Sequence, residues 1–578
     1  MTRVKTFFAA MLVAAIVGLV PSAQAQTVKV VLAGSSAQWQ TLALGAYNAG
    51  KCVSGGTAPC FHYTNSSFNL NDTRPTVKGG TTATDTGNIW IVWDSAATTN
   101  VWAFIKVDSG VGDRCYFAQP HCNISVTTFP TPGNLIGSTL WGDNSSDSTP
   151  TTAVQNLFTA GTLLVNAAAS DIRPEDALFA TCRANSKLGG GTDGLAGLGY
   201  GANASGVCAK FGATLADLVG SDIQSAYPGS TSTAHVLAFA ISGKDPFTGT
   251  TVPAGTTVSV GATPVIFIVS RTGALAGATN ITDEEAQTIF SGADCDGSVV
   301  GGAGGPVSVY LREPLSGTMN TTEYSVFRYW NISGKSQETG VAAQNPLSHT
   351  CTAGGSRYRA IGTGESVKSV LNSNANHGND GIAYAFFSYG NISSIANNAS
   401  YGYLMLDGVD GIFHKYGASP AIDPGQPTTA GMLPAAANLP STCAGAFPCP
   451  EGKIWSGNLS FPNLRNGSYR AWSNLRSITN GPTLSLLETL ISGSQTYAVN
   501  STPDFVPAIK VGSTDPGLSL LRSHYTQEGV APVNISTTGD RGGDAGGCIL
   551  TNTGTTTTSD TTTKLAQVLP GSPCVQVP

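Results

Sequence analysis

The chain has 578 residues, a formal net charge of −6, 41% hydrophobic residues, only 11% charged residues and 70 glycines. That length implies two or more domains with real cores. The low charge, with no basic stripe, argues against a nucleic-acid partner, but a mildly acidic chain can still take a small anion, because helix N-termini and a buried arginine do that work locally.

Arg3 and Lys5 precede an apolar run from Phe7 to Val20, Pro21 breaks it, and Ala23-Gln24-Ala25 fits a signal-peptidase site. This predicts an export signal over residues 1–25, cleaved before Gln26. No cysteine follows the site, which argues against a lipid anchor, and no second stretch is apolar and long enough to span a bilayer. The 12 cysteines agree with export. They fall into near neighbours, Cys52/Cys60, Cys115/Cys122, Cys182/Cys208, Cys295/Cys351, Cys443/Cys449 and Cys548/Cys574, so up to six local disulfides are expected in an oxidising compartment. Neighbour pairing is the simplest connectivity, one that sequence does not fix. No C-x-x-C occurs and the 7 histidines are scattered, so no metal site and no cofactor are expected.

Val28 to Ala33 is β-branched and alternating, and predicts a strand; Gly34-Ser35-Ser36 ends it, and Trp39 to Tyr47 is patterned as a helix. Strand, small-residue turn and helix open an α/β sheet, whose ligands sit at the strand's carboxyl end. Residues 69–160 hold Asn88 to Trp93 and Val101 to Val107, two β-rich runs that predict a hairpin-like insertion. Trp39, Trp90, Trp93 and Trp102 either line a pocket for a larger ligand or pack as core, the commoner fate. Thr263 to Val269 predicts a further strand. Thr282 with Glu285 three residues on is a capping signal for a helix through Phe290. Val307 to Leu311 and Gly381 to Tyr384 predict strands, with a helix from Thr318. Residues 417–455 are Pro/Ala-rich loop, and 549–565 are a Thr/Ser/Asp-rich stretch that Cys548 and Cys574 would tether.

The sharpest motif is Tyr310-Leu311-Arg312-Glu313-Pro314-Leu315-Ser316-Gly317-Thr318. A strand delivers Arg312, and Ser-Gly-Thr then stands where a helix begins. Ser316 and Thr318 offer hydroxyls, Gly317 lets backbone N–H groups approach, and the helix N-terminus favours negative charge. Arg312 adds a planar fork suited to a tetrahedral oxyanion. An ordinary N-cap explains Ser-Gly-Thr equally well when it stands alone.

This segment resembles the R-x-D-x-S-G-T segment of the phosphate-binding proteins of ABC transporters, a branch of the type II periplasmic-binding fold. Ile281 to Gly292 is similar to the family's helix ending in I-F-x-G, His235 to Ile241 to its strand crossing between lobes, and Ser366 to Asn374 with Gly381 to Tyr384 to its following helix and strand. Ser170-Asp171-Ile172-Arg173-Pro174-Glu175-Asp176 resembles its S-D-x-P-L-x-D turn, which implies Asp171 as acceptor of the phosphate proton; a plain Ser-Asp helix cap is the competing reading. Ser35 and Ser36 occupy the place of the first phosphate loop, with Gln38-Trp39 where Thr-Phe is usual. Ser66 and Ser67, after Asn65, fall where G-S-S is expected. The family's Asp after the Arg is replaced by Pro314, with Glu313 one residue early.

The resemblance implies a two-lobed α/β protein, each lobe an open sheet flanked by helices, with lobe one at 27–230 plus 390–500 (insertion 69–160), lobe two at 231–389, and an unplaced extension at 501–578. It implies an exported monomeric binding protein that captures phosphate or a similar anion, with an ABC permease as a partner. An exported hydrolase and a secreted adhesive protein reusing the fold are the alternatives. No G-x-S-x-G occurs, which weighs against the first of these.

Overall fold

The computed structural model describes residues 26–47, 58–72, 83–172, 256–327, 349–417, 429–434 and 471–500, less single positions at 139, 314, 361, 388 and 414. It also describes Cys52, Gln337, Asn463, Tyr469 and short strand segments beyond 505. The first part of the chain runs β1 (Thr27–Ser35), α1 (Ser36–Tyr47), β2 (Cys60–Asp72), β3 (Ala83–Asp94), β4 (Asn100–Val107), α2 (Ser109–Phe117), β5 (Asn123–Ser125), α3 (Thr152–Thr159), β6 (Leu163–Leu164) and β7 (Ala167–Ser170). Next come β8 (Thr256–Ser270), β9 (Asn280–Ile281), α4 (Asp283–Ser291), β10 (Ser308–Arg312), α5 (Gly317–Ser325), β11 (His349–Thr350), β12 (Ser356–Ala360) and α6 (Gly362–Leu371). The remainder is α7 (Ser373–His377), β13 (Gly381–Phe386), α8 (Tyr389–Ile392), β14 (Tyr401–Leu406), β15 (Trp472–Thr479) and α9 (Thr483–Asn500).

The protein is two-lobed and α/β. In the first sheet β7, β1 and β4 are parallel neighbours, β3, β2, β5 and β6 continue one edge antiparallel, and β15 closes the other. In the second, β13, β10 and β12 are parallel, with β11 antiparallel on β12. The long strand β8 belongs to both: residues 256–264 pair with β15, and 265–269 pair with β13. The crossing strand assigned by resemblance to 235–241 lies outside the described residues; β8 makes the crossing here.

One expectation is met and one is corrected. The hairpin expected within residues 69–160 is present as antiparallel β3 and β4, and it is built into the first sheet, with β4 directly against β1. A hairpin pattern reads the same whether it is inserted or integral, and only the β1–β4 pairing decides. The return to the first lobe comes later than residue 390, because β14 still pairs with β8 and β9 in the second sheet and β15 makes the return.

Alternation along β1 explains its continuous apolar run. Val30 and Leu32 pack on one face with Trp39, Trp90 and Trp102, while Val31 and Ala33 pack on the other with Ile89, Ile91 and Trp93. A sheet covered on both faces needs apolar residues at every position. All four tryptophans are thus core. Trp90 is fully buried, its indole N–H donating to the Trp39 carbonyl at 2.8 Å, so truncating it to Ala would cost about 3–5 kcal/mol.

α4 carries the capping box read from sequence: Thr282 Oγ1 accepts from Glu285 N at 3.2 Å, and Glu285 Oε2 accepts from Thr282 N at 2.7 Å. Three disulfides form between the expected neighbours, Cys52–Cys60, Cys115–Cys122 and Cys295–Cys351, with Cα separations of 6.2, 4.9 and 6.0 Å. Cys182, Cys208, Cys443, Cys449, Cys548 and Cys574 lie outside the described residues, as do residues 1–25, 173–176 and most of 417–455 and 549–565. Among the described residues no helix is long and apolar enough to cross a membrane.

Candidate functional site

Four strands end in a short turn that starts a helix: β1 into α1, β4 into α2, β10 into α5, and β12 into α6. The first two belong to one lobe and the last two to the other, and their helix N-termini meet. Ser36 Oγ lies 3.3 Å from Thr363 Oγ1 across the seam, and Gly110 N donates to the Leu315 carbonyl at 3.4 Å. A Cβ on Gly317 would stand 2.5 Å from Asp171 Oδ2 and 2.6 Å from Ser109 Oγ. Only glycine allows the α5 backbone that close to the opposite lobe.

Arg312, at the end of β10, is buried with its charge intact. Nε and Nη2 donate to the two oxygens of Glu313 at 2.9 and 2.7 Å, a bidentate pair. Nη1 donates to Thr318 Oγ1 at 3.1 Å and to Thr363 Oγ1 at 3.0 Å. The fork expected to face the anion is therefore occupied by Glu313, and the edge carrying Nη1 looks toward the hydroxyls. Glu313 supplies the buttress that the resemblance places at residue 314. Burial works to raise the Glu313 carboxyl, but Arg312 beside it and the hydrogen bonds from Asp108 and Arg312 win, holding it at about 2. Burial alone would lower the Arg312 pKa; Glu313 and Asp108 raise it above the ordinary arginine range.

Asp108 comes from the opposite lobe, in the β4–α2 turn, and is hydrogen-bonded to Glu313. Burial and the Glu313 charge push its carboxyl well above the usual range. Two buried carboxyl groups in contact cannot both ionise, so the pair shares a proton and Asp108 carries it. Gly362 N donates to Glu313 Oε2 at 3.0 Å, which ties the α6 N-terminus to the same carboxylate.

Asp171 follows β7. Its Oδ1 accepts from Ser109 Oγ, and its own N–H donates to Ser109 Oγ at 3.2 Å. Burial raises its pKa, with Ser109, Ser35 and Arg312 pulling the other way. Ser35 is buried beside it, and Ser35 Oγ also accepts from Ala37 N at 3.2 Å. Ser316 is the N-cap of α5, accepting from Met319 N at 3.3 Å. The structure thus brings Ser35, Ser36, Asp171, Arg312, Ser316, Gly317 and Thr318 to one seam. Ser66 and Ser67 stand apart: they are exposed at a bulge in β2, separated from β1 by β3 and β4. Sequence reasoning missed Ser109, Asp108 and Thr363. Val107-Asp108-Ser109-Gly110 and Ala360-Ile361-Gly362-Thr363 repeat the pattern of strand, small residue and hydroxyl seen at Gly34-Ser35-Ser36, and that repetition was the available signal.

No protein-family model matches the chain, and no curated protein matches it. Among solved structures it is similar to a human phosphate binding apolipoprotein, at 14% identity and a TM-score of 0.32 over 82% of this chain and 91% of that one. It is also similar to a phosphate binding protein from Stenotrophomonas maltophilia, at 13% identity and 0.28 over 68% and 76%. A third is a Clostridium perfringens protein, described as a phosphate ABC transporter substrate-binding protein and holding phosphate, at 17% identity and 0.24; the chain spans 65% of its length and 41% of its own. With every one of these TM-scores under 0.5, the functional reading is left to the chain's own residues.

Proposed function

We propose that this chain is an exported binding protein that captures a phosphate-like tetrahedral oxyanion between its two lobes. The carrying observation is the convergence, around one buried arginine, of helix N-termini and hydroxyls from both lobes: Ser36 and Ser109 on one side, Thr318 and Thr363 on the other. Helix N-termini favour negative charge, hydroxyls and backbone N–H groups donate to it, and Arg312 supplies the full charge. Because the donors come from opposite lobes, an anion bound among them would hold the lobes together, and its release would require them to part.

In this reading Asp171 accepts the proton of hydrogen phosphate, and Ser316 and Gly317 shape the start of α5. Ser35 orients Asp171, and the six-bridge disulfide framework and signal segment belong to an exported protein that hands its anion to an ABC permease. Calorimetric titration of the mature protein with phosphate tests the reading. Saturable binding at one site per chain is expected. No binding, or hydrolysis of a phosphate ester by the purified protein, would overturn it.

A further inference from the structure

Beside the seam stands a cation that the binding reading does not use. Lys106, the last residue but one of β4, lies opposite Gly34 of β1 and Asn88 of β3. Its ammonium sits 4.9 Å from the centroid of the Trp39 ring, over the first turns of α1. Its position opposite Gly34, which leads into Ser35, and two residues before Asp108 sets it beside the seam, where Arg312 of β10 and the exposed Lys368 of α6 act on it as like charges. The nearby carboxyl groups are engaged elsewhere. Glu313 is bound by Arg312 and Gly362 N, Asp108 is hydrogen-bonded to Glu313, and Asp171 is bonded to Ser109. An ammonium is a strongly hydrated point charge, and an aromatic face replaces only part of its hydration.

We propose that Lys106 is a specificity-determining residue of the anion site, its ammonium countering the second negative charge of the bound oxyanion. This rests on the binding reading above and narrows its ligand class. Asp171 asks for an anion that still carries a proton, and Lys106 asks for two negative charges. Hydrogen phosphate and hydrogen arsenate meet both demands at neutral pH, whereas sulfate meets only the second and dihydrogen phosphate only the first. The repulsion between Lys106 and Arg312, which come from opposite lobes, is then relieved by an anion bound between them.

Burial pushes the Lys106 pKa down to about 8, with Lys368 and Arg312 adding to the effect. Its charge is present below that pH and lost above it, so phosphate affinity should decline as pH rises through about 8. Asp108 and Asp171 face the same seam and are pushed upward, so a control must separate their titration from that of Lys106.

The test is calorimetric titration of the disulfide-intact mature protein with inorganic phosphate from pH 6.5 to 9.5, for wild type, Lys106→Met and Lys106→Arg. Loss of one charge-assisted contact should weaken Lys106→Met by roughly tenfold or more at pH 7. Lys106→Arg should bind near the wild-type level at pH 7 and lose the decline above pH 8, because arginine keeps its charge there. Should Lys106→Met fail to fold, the pH profile of Lys106→Arg decides alone. Methionine and arginine variants that match wild type in affinity and in pH profile would overturn the inference and leave phosphate capture standing. A wild type that binds no phosphate overturns both.

Discussion

Around His62 and around Arg312 the chain buries a basic side chain against carboxylates, and the two neighbourhoods differ in where their partners come from. The His62 partners all lie in the first lobe, on α1, β2 and the 130–150 loop. Nδ1 lies 2.9 Å from Asp147 Oδ1 and Nε2 lies 2.8 Å from Ser145 Oγ. The ring stacks on Trp141 at 4.0 Å, with Tyr47 edge-on at 4.9 Å. Asp147 Oδ2 also accepts from Thr64 N, Thr64 Oγ1 and Asn134 N. Serine, histidine and aspartate in that order suggest a nucleophile, but Ser145 Oγ donates to Asp143 Oδ2 at 2.8 Å, so its proton already has an acceptor. The His62 and Asp147 hydrogen bonds are made within the first lobe and fasten a long loop to β2, although the Trp141 Nε1 donor beside them is buried without a partner.

The Arg312 network draws on both lobes and stays open. Asp108 Oδ2 is buried without a hydrogen-bond donor, and the Lys106 ammonium, held over the Trp39 ring, is repelled by Arg312 and Lys368. Buried polar groups left incomplete need an explanation, and a ligand or a shared proton is the usual one. The His62 partners belong to one lobe and the Arg312 partners to two, and substitutions at four positions would break or sharpen that contrast.

The largest effect should come from Arg312→Ala. Losing the Nη1 hydrogen bond, worth about 1.5–3 kcal/mol, and leaving the buried Glu313 carboxylate without its counter-charge should weaken phosphate binding tenfold to a hundredfold or more. Arg312→Lys should restore only part, since an ammonium lacks the planar fork. Wild-type affinity in the alanine variant, measured by calorimetry, would make Arg312 a structural residue.

His62→Ala should do the opposite. Removing a buried ring and stranding Asp147 should lower unfolding free energy by about 2–4 kcal/mol in denaturant titration, with phosphate affinity unchanged. A loss of affinity with stability intact would give the His62 network a role in binding.

Asp171→Asn should act on selectivity. A carboxylate accepts the proton of hydrogen phosphate but repels sulfate, so wild type should prefer phosphate. The amide should narrow the gap, mainly by improving sulfate binding. Competition titration at pH 7–8 reads it, and equal affinities in wild type would remove Asp171 from the site.

The smallest effect is a change of slope at Asp108→Asn. A carboxyl whose folded pKa is raised stabilises below its unfolded value, and loses that contribution as pH rises through the folded one. Wild type should therefore lose stability as pH rises above the ordinary carboxylate range, where the asparagine variant stays flat. Glu313 works in the other direction: held at about 2 from an ordinary 4.5, it contributes above 4.5 and loses its contribution as pH falls toward 2. Thermal melts across pH for both proteins give the comparison, and parallel curves throughout the rise from pH 4 upward would show that the pair shares no proton.

Much of this was legible from residue order alone. Local rules set β1, β3, β4, β10 and β13, the capped start of α4, and the bridges at Cys52–Cys60 and Cys115–Cys122, because each depends on neighbours close in the chain, while Cys295–Cys351 closes a span of 56 residues. Arg312, Ser316, Gly317 and Thr318 stood out for the same reason: strand, arginine and helix N-terminus follow one another directly. What tertiary structure alone decided is long-range. It placed β4 against β1, kept β14 in the second sheet, and set Ser66 and Ser67 apart from the seam. It also paired Asp108 with Glu313 and Ser36 with Thr363, partners more than 200 residues apart, which no local pattern encodes because only closure of two lobes brings them into contact.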